Sequence, residues 1–137
     1  MSSSIYSEKG TSKRICLEAC LYDKTSPPYD KMSFVQFCKV NYVDENLYFM
    51  DQINELRLNP SFELAKAIYL RYVSPRAKKQ INLPAPTVKE AEALINREAR
   101  ADIILRVYEK AYSHVVDMLN TDVWPRFVKK AESVSET

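Results

Sequence analysis

Glycine is almost missing from this chain: one residue, Gly10, in 137. A β-rich fold of this length needs Asn-Gly or Asp-Gly hairpin turns, so the shortage points to helices. No apolar run approaches the roughly 20 residues needed to span a bilayer. The first nine residues, Met1 to Lys9, lack a basic stretch followed by an apolar one, so they are not expected to be a signal peptide. Charge of one sign is also lacking. A formal net charge of +2 makes no general case for nucleic acid or for a membrane. Cysteines number three, Cys16, Cys20 and Cys38, all in apolar-periodic contexts. That is the usage of reduced, buried thiols in a cytoplasmic protein. Cys16 and Cys20 stand four apart, a spacing open to a metal, but no Cys or His pair elsewhere completes such a site.

What is present is apolar periodicity. Hydrophobic residues make up 46% of the chain, enough to fill the core of one compact domain. Residues 1–12 are polar and expected to be disordered, 13–130 form the helical domain, and 131–137 are expected to fray. Arg14 to Tyr22 reads as a short helix, with Ile15 and Ala19 on one side and Cys16 and Cys20 beside them. Asp30 can cap a helix carrying Phe34, Phe37 and Cys38. Asp44 is the next cap candidate, ahead of Phe49, Met50, Ile53 and Leu56 at helical spacing. Asn59, with Pro60 at the first helical position, is expected to start the helix of Leu64, Ala65, Ile68, Tyr69 and Tyr72. The stretch Val73 to Pro86 reads as loop. Within it Asn82 should point away from Ile81 and Leu83, because neighbours alternate in extended chain. Thr87 to Glu90 has the capping-box pattern. Ala91, Leu94 and Ile95 follow, then a long helix with Ile104, Val107, Tyr108, Ala111, Val115 and Met118. Thr121 or Asp122 is expected to cap a last short helix holding Trp124 and Phe127. The sum is an all-α domain of about seven to nine short helices.

Catalytic chemistry finds little support. His114 is the lone histidine and stands apart from any serine- or cysteine-centred motif. No glycine-rich phosphate loop or Gly-Lys-Ser/Thr element occurs, so the chain does not read as a nucleotide hydrolase, and it calls for no cofactor and no metal. The basic cluster Arg71, Arg76, Lys78 and Lys79 is a solvated loop in its plainest reading. An anionic lipid head group or an acidic partner is the functional one, and the lack of interleaved aromatics argues against nucleic acid.

Three segments carry polar groups that are costly to bury unpaired: Asp44-Glu45-Asn46-Leu47-Tyr48-Phe49, Ile81-Asn82-Leu83, and Asp122-Val123-Trp124-Pro125-Arg126-Phe127. Taken singly, Asp44, Thr121 and Asp122 are helix caps, Asn82 satisfies its own loop, and Asp122 with Arg126 is an i, i+4 pair worth a few tenths of a kcal/mol. Tyr42, just before the first segment, suits either core or an interface anchor.

Their order and spacing change this reading. Together with Phe34-Val35-Gln36-Phe37-Cys38, Ala67-Ile68-Tyr69 with Tyr72, and Val107-Tyr108, they make residues 31–130 resemble the regulator of G-protein signalling (RGS) domain. The resemblance implies an all-helical domain with a terminal subdomain and a four-helix bundle. It also implies binding to the active α subunit of a heterotrimeric G protein and acceleration of its GTP hydrolysis, the catalytic groups belonging to the α subunit. On this resemblance Glu45 and Asn46 meet the first switch segment, and Asn82 the switch residues near the water-orienting glutamine. Asp122 and Arg126 form an ion pair on the docking face, to which Tyr42, Met118 and Val123 also belong. The chain departs from the family pattern at Val43, Met50, Pro84, Val88 and Val123. These departures leave an alternative: an interaction or scaffold module of the same fold without GTPase-accelerating activity.

Overall fold

The computed structural model describes residues 15–135, and side chains over 15–133; the N-terminal segment 1–12 lies outside this range. The described residues form seven α-helices, two π-helical turns and no strand. The order is α1 (Leu17–Leu21), α2 (Lys31–Val40), α3 (Glu45–Leu58), α4 (Phe62–Ile68), π1 (Tyr69–Val73), α5 (Ala85–Asn96), α6 (Ala101–Met118), π2 (Leu119–Val123) and α7 (Trp124–Ser135). Two compact units share them, a central unit Val43–Asp117 and a terminal unit that joins Met1–Tyr42 to Met118–Thr137.

The central unit is organised by α3 to α6. Phe49, Ile53, Leu56, Ile68, Ile104 and Tyr108 are all at most 1% exposed. Each such side chain contributes about 1.5–3 kcal/mol of transfer free energy. Phe49 meets Tyr72 and Tyr108 edge-on, with ring centroids 6.0 and 6.5 Å apart. The buried Tyr108 hydroxyl donates to the Ala65 carbonyl at 2.7 Å, and burial pushes its phenol well above the ordinary range. At the rim, Arg57 on α3 grips Glu109 on α6 with two hydrogen bonds of 2.8 and 2.6 Å. The same guanidinium lies 4.3 Å over the Tyr112 ring.

The terminal unit packs α1, α2 and α7 around aromatics. Phe34 contacts Trp124 at 5.4 Å and Phe127 at 5.2 Å, and Phe37 contacts Phe127 at 5.6 Å. Cys20 and Cys38 are fully buried and unbridged, and Cys16 is half-buried and unbridged. Burial first of all pushes the Cys20 thiol up to about 11. Such a thiol is not a reactive nucleophile.

Glycine scarcity leaves a mark on the backbone. The positive-φ non-glycine residues are Asp23 (61°), Tyr42 (59°) and Glu98 (52°). Each is the residue just beyond a helix C-cap, at Tyr22, Asn41 and Arg97. That position reverses the chain in the left-handed region and normally takes glycine. At two of the three ends the Schellman hydrogen bonds are complete: Asp23 to Cys20 with Lys24 to Ala19, and Glu98 to Ile95 with Ala99 to Leu94. The chain therefore meets a glycine requirement with side chains that tolerate it less well.

Several helix boundaries differ from the sequence expectation. In α1 the buried residues are Leu17 and Cys20, while Ile15 and Ala19 stay half-exposed. Asp30 does cap α2, accepting from the Ser33 amide at 3.2 Å and the Ser33 hydroxyl at 2.7 Å. Asp44 precedes α3 in helical conformation and makes no side-chain cap. Ser61, not Asn59, caps α4, accepting from the Leu64 amide at 3.0 Å; Asn59 ends α3 instead. α5 begins at Ala85, behind Pro84, so Thr87 lies inside its first turn and no capping box forms. Nor does Thr121 or Asp122 cap α7: α6 runs through π2 directly into it. One residue is inserted there, and the buried positions through it into α7 are Leu119, Val123, Trp124, Phe127 and Ala131. That continuing apolar stripe carries α7 to Ser135, so residues 131–135 are helical where fraying was expected.

Candidate protein-docking site

The first polar segment opens α3. Glu45 occupies the first helical position and is half-exposed. Asn46 is only 5% exposed, and its Nδ2 donates to the Val43 carbonyl at 3.1 Å. Its amide thus holds the helix start together. The Asp44 carboxylate is engaged with Tyr48: desolvation first, then that carboxylate's charge and hydrogen bond, raise the Tyr48 phenol. Immediately upstream Tyr42 is 85% exposed in its left-handed backbone. A bulky residue with positive φ is an outlier that costs of order 1 kcal/mol, and such strain clusters at functional sites.

The second segment lies between π1 and α5 in the central unit. Its backbone is tied to π1, with the Lys79 amide on the Arg71 carbonyl at 3.2 Å and the Ile81 amide on the Tyr72 carbonyl at 2.9 Å. Ile81 is buried at 3% exposure, Asn82 is exposed and Leu83 is half-buried. The alternation expected from extended chain is present, and it leaves the Asn82 amide available to solvent. Pro84 follows with φ −60° and stands at the N-cap of α5. The departures here leave Asn82 exposed.

The third segment is π2 and the start of α7, in the terminal unit. Asp122 and Arg126 are both exposed and form a two-armed ion pair at 3.3 and 3.4 Å. Met118 is half-buried at the end of α6. Val123 is fully buried. Its side chain supports this face from beneath, a correction to its expected role as a contact.

Arg71, Arg76, Lys78 and Lys79 are all exposed. Arg71 leans over Tyr72 at 5.8 Å and, with Tyr48, Asp51 and Gln52, borders an open cleft of about 400 Å³. His114 is exposed on α6. Among the described residues no group of three His, Cys, Asp or Glu side chains could hold a metal. No helix among them is long and apolar enough to cross a membrane.

Sequence reasoning missed the left-handed Tyr42 and the π-turn under Asp122.

The family model of the Regulator of G protein signaling domain matches residues 24–131. Regulator of G-protein signaling 7 from Homo sapiens is 22% identical over 107 residues, 76% of this chain and 21% of that protein. The Bos taurus protein of the same name is 22% identical over the same length, 22% of its own. CRISPR-associated endonuclease Cas1 from Thermotoga maritima is 29% identical over 132 residues, 92% of this chain and 41% of that protein. The chain spans about a fifth of the length of the first two relatives and under half of the third. The family-model match is what assigns the family.

Proposed function

Because the chain belongs to the Regulator of G protein signaling domain family, we propose that it binds the switch segments of an active heterotrimeric G-protein α subunit and accelerates GTP hydrolysis there. The observation that supports this most is Asn82: a solvent-facing amide on a segment pinned to π1 and anchored by buried Ile81. Preorganisation of that kind is what a regulator without chemistry of its own must supply. The α subunit holds its arginine in cis and its water-orienting glutamine, and the bound regulator keeps the mobile switches in the arrangement the transition state needs. The contacts proposed are Glu45, Asn46 and Asn82, and, as the resemblance implies, Tyr42, Met118, Asp122 and Arg126. In this reading Asn46 acts mainly by holding Glu45 in place, since its side chain is buried.

The basic group Arg71, Arg76, Lys78 and Lys79 adds a second, electrostatic contact with an anionic membrane surface. Binding to anionic vesicles that vanishes at high salt tests it.

Pull-down with an α subunit in three states tests the main reading: GDP, GDP with aluminium fluoride, and a GTP analogue. A GTPase activator favours the aluminium fluoride state, which imitates the transferring phosphoryl group. The burial of Val123 and Asn46 favours a second reading, an interaction module of the same fold. It predicts capture indifferent to aluminium fluoride, or none.

A further inference from the structure

We propose that Tyr42 is a phosphorylation site at which a protein tyrosine kinase switches off docking of the α subunit; the switching half rests on the function proposed above. Eight tyrosines lie in the described range, and six of them, Tyr29, Tyr48, Tyr69, Tyr72, Tyr108 and Tyr112, are buried or half-buried. A kinase must take the phenol out of its surroundings and into its own cleft, so those six are poor acceptors. Tyr22 is 66% exposed, but hydrogen bonds from Asp23 to Cys20 and from Lys24 to Ala19 lock the chain on its C-terminal side. Tyr42 is 85% exposed, and its amide donates to Lys39 at 3.2 Å. It sits in a turn whose left-handed backbone is relieved when the turn opens, which lowers the cost of fitting an extended kinase cleft. Val43, Asp44 and Glu45 follow it, an acidic flank that a basic kinase surface can recognise.

The transfer is balanced by ATP. The Tyr42 phenolic oxygen attacks the γ-phosphorus, the bond to the ADP oxygen breaks, and the phenolic proton leaves to the kinase base. The product carries nearly two more negative charges at neutral pH. Glu45 is three residues on, so the chain limits its Cα to roughly 11 Å from that of Tyr42, about one Debye length at physiological salt. A phosphate there stands between the C-terminal end of α2, where negative charge is disfavoured, and the N-terminal end of α3, where it is favoured. Docking is lost. An aromatic that would be covered by the partner becomes a strongly hydrated dianion, beside carboxylates that already supply the negative charge of this edge.

The experiment uses the full chain and its Tyr22→Phe variant, treated with a Src-type kinase and ATP. Phosphopeptides are mapped by mass spectrometry, and capture of an α subunit with GDP and aluminium fluoride is measured before treatment, after it, and after phosphatase. The expected result is near-stoichiometric phosphate on Tyr42, none there in Tyr42→Phe, at least tenfold weaker capture, and recovery on phosphatase treatment. Phosphate that goes to other tyrosines while Tyr42 stays unmodified overturns the proposal, as does unchanged capture with Tyr42 fully phosphorylated. If the untreated chain captures no α subunit, the underlying function fails and the switch falls with it.

Discussion

The Ile81 amide donates to the Tyr72 carbonyl at 2.9 Å, and the next side chain along, Asn82, faces solvent. This hydrogen bond fixes an otherwise irregular loop to π1 one residue before the group proposed to enter the partner. An amide delivered from a fixed backbone loses little conformational freedom on binding, so its contact is worth more than that of a flexible side chain. Asn82→Ala is therefore expected to lower the stimulated rate of GTP hydrolysis by about 1–3 kcal/mol of transition-state stabilisation. Its helical circular dichroism and melting temperature should match those of the parent chain, because Asn82 is exposed. An unchanged rate with a responsive α subunit would remove Asn82 from the mechanism.

Positive φ at a C-terminal helix turn separates stability from function. Glu98→Gly removes left-handed strain at the end of α5, a site far in sequence from the proposed contacts, and should stabilise the chain by about 0.5–1 kcal/mol. Tyr42→Gly should stabilise it similarly yet weaken capture of the α subunit. Urea denaturation read beside pull-down checks both. A Tyr42→Gly variant that binds as well as the parent would mean that the strained aromatic has no part in docking.

Helix capping supplies a local test. Ser61→Ala should cost about 1 kcal/mol, since the Leu64 amide loses its acceptor. Asn59→Ala should cost markedly less. The sequence favoured Asn59 because proline suits the first helical position. Pro60 stands two residues before the first helical position, Phe62, between the two candidates, and Ser61 has the extended backbone a cap requires.

Acid stability should depend in part on Glu109. Its hydrogen bonds from Arg57, and then the guanidinium charge, hold the carboxyl below its ordinary 4.5. A depressed folded-state value means that the unfolded chain takes up the proton first. The contribution is therefore full above about pH 4.5 and is lost as pH falls through the folded value. Both side chains are more than a third exposed, at 35% and 41%, so solvent screening holds the effect to about 0.5–1 kcal/mol. Glu109→Gln should lower stability at pH 7 by that amount and flatten its decline on acidification. Chemical denaturation at a series of pH values measures it.

What could be read from the sequence follows from which forces act locally. The apolar stripes of α3, α5 and α6 were legible because burial imposes helical spacing on Phe49, Ile53 and Leu56, or on Ile104, Tyr108 and Ala111. Asn82 was legible from the period of extended chain. Asp30 was legible as a cap because its acceptor geometry needs only Ser33. The π-turn at Leu119–Val123 was not, since the slip is decided by packing around Trp124 and Phe127 rather than by a local preference. The same holds for Val123 and Asn46. Spacing placed both at the polar segments, but burial alone decides whether a side chain there meets a partner or the core.

Single-turnover GTP hydrolysis by a panel of G-protein α subunits, with and without this chain, tests the central claim most directly. The account predicts faster hydrolysis by at least one subunit and a loss of most of that gain with Asn82→Ala. No acceleration of any subunit, with the chain folded and in excess, would contradict it.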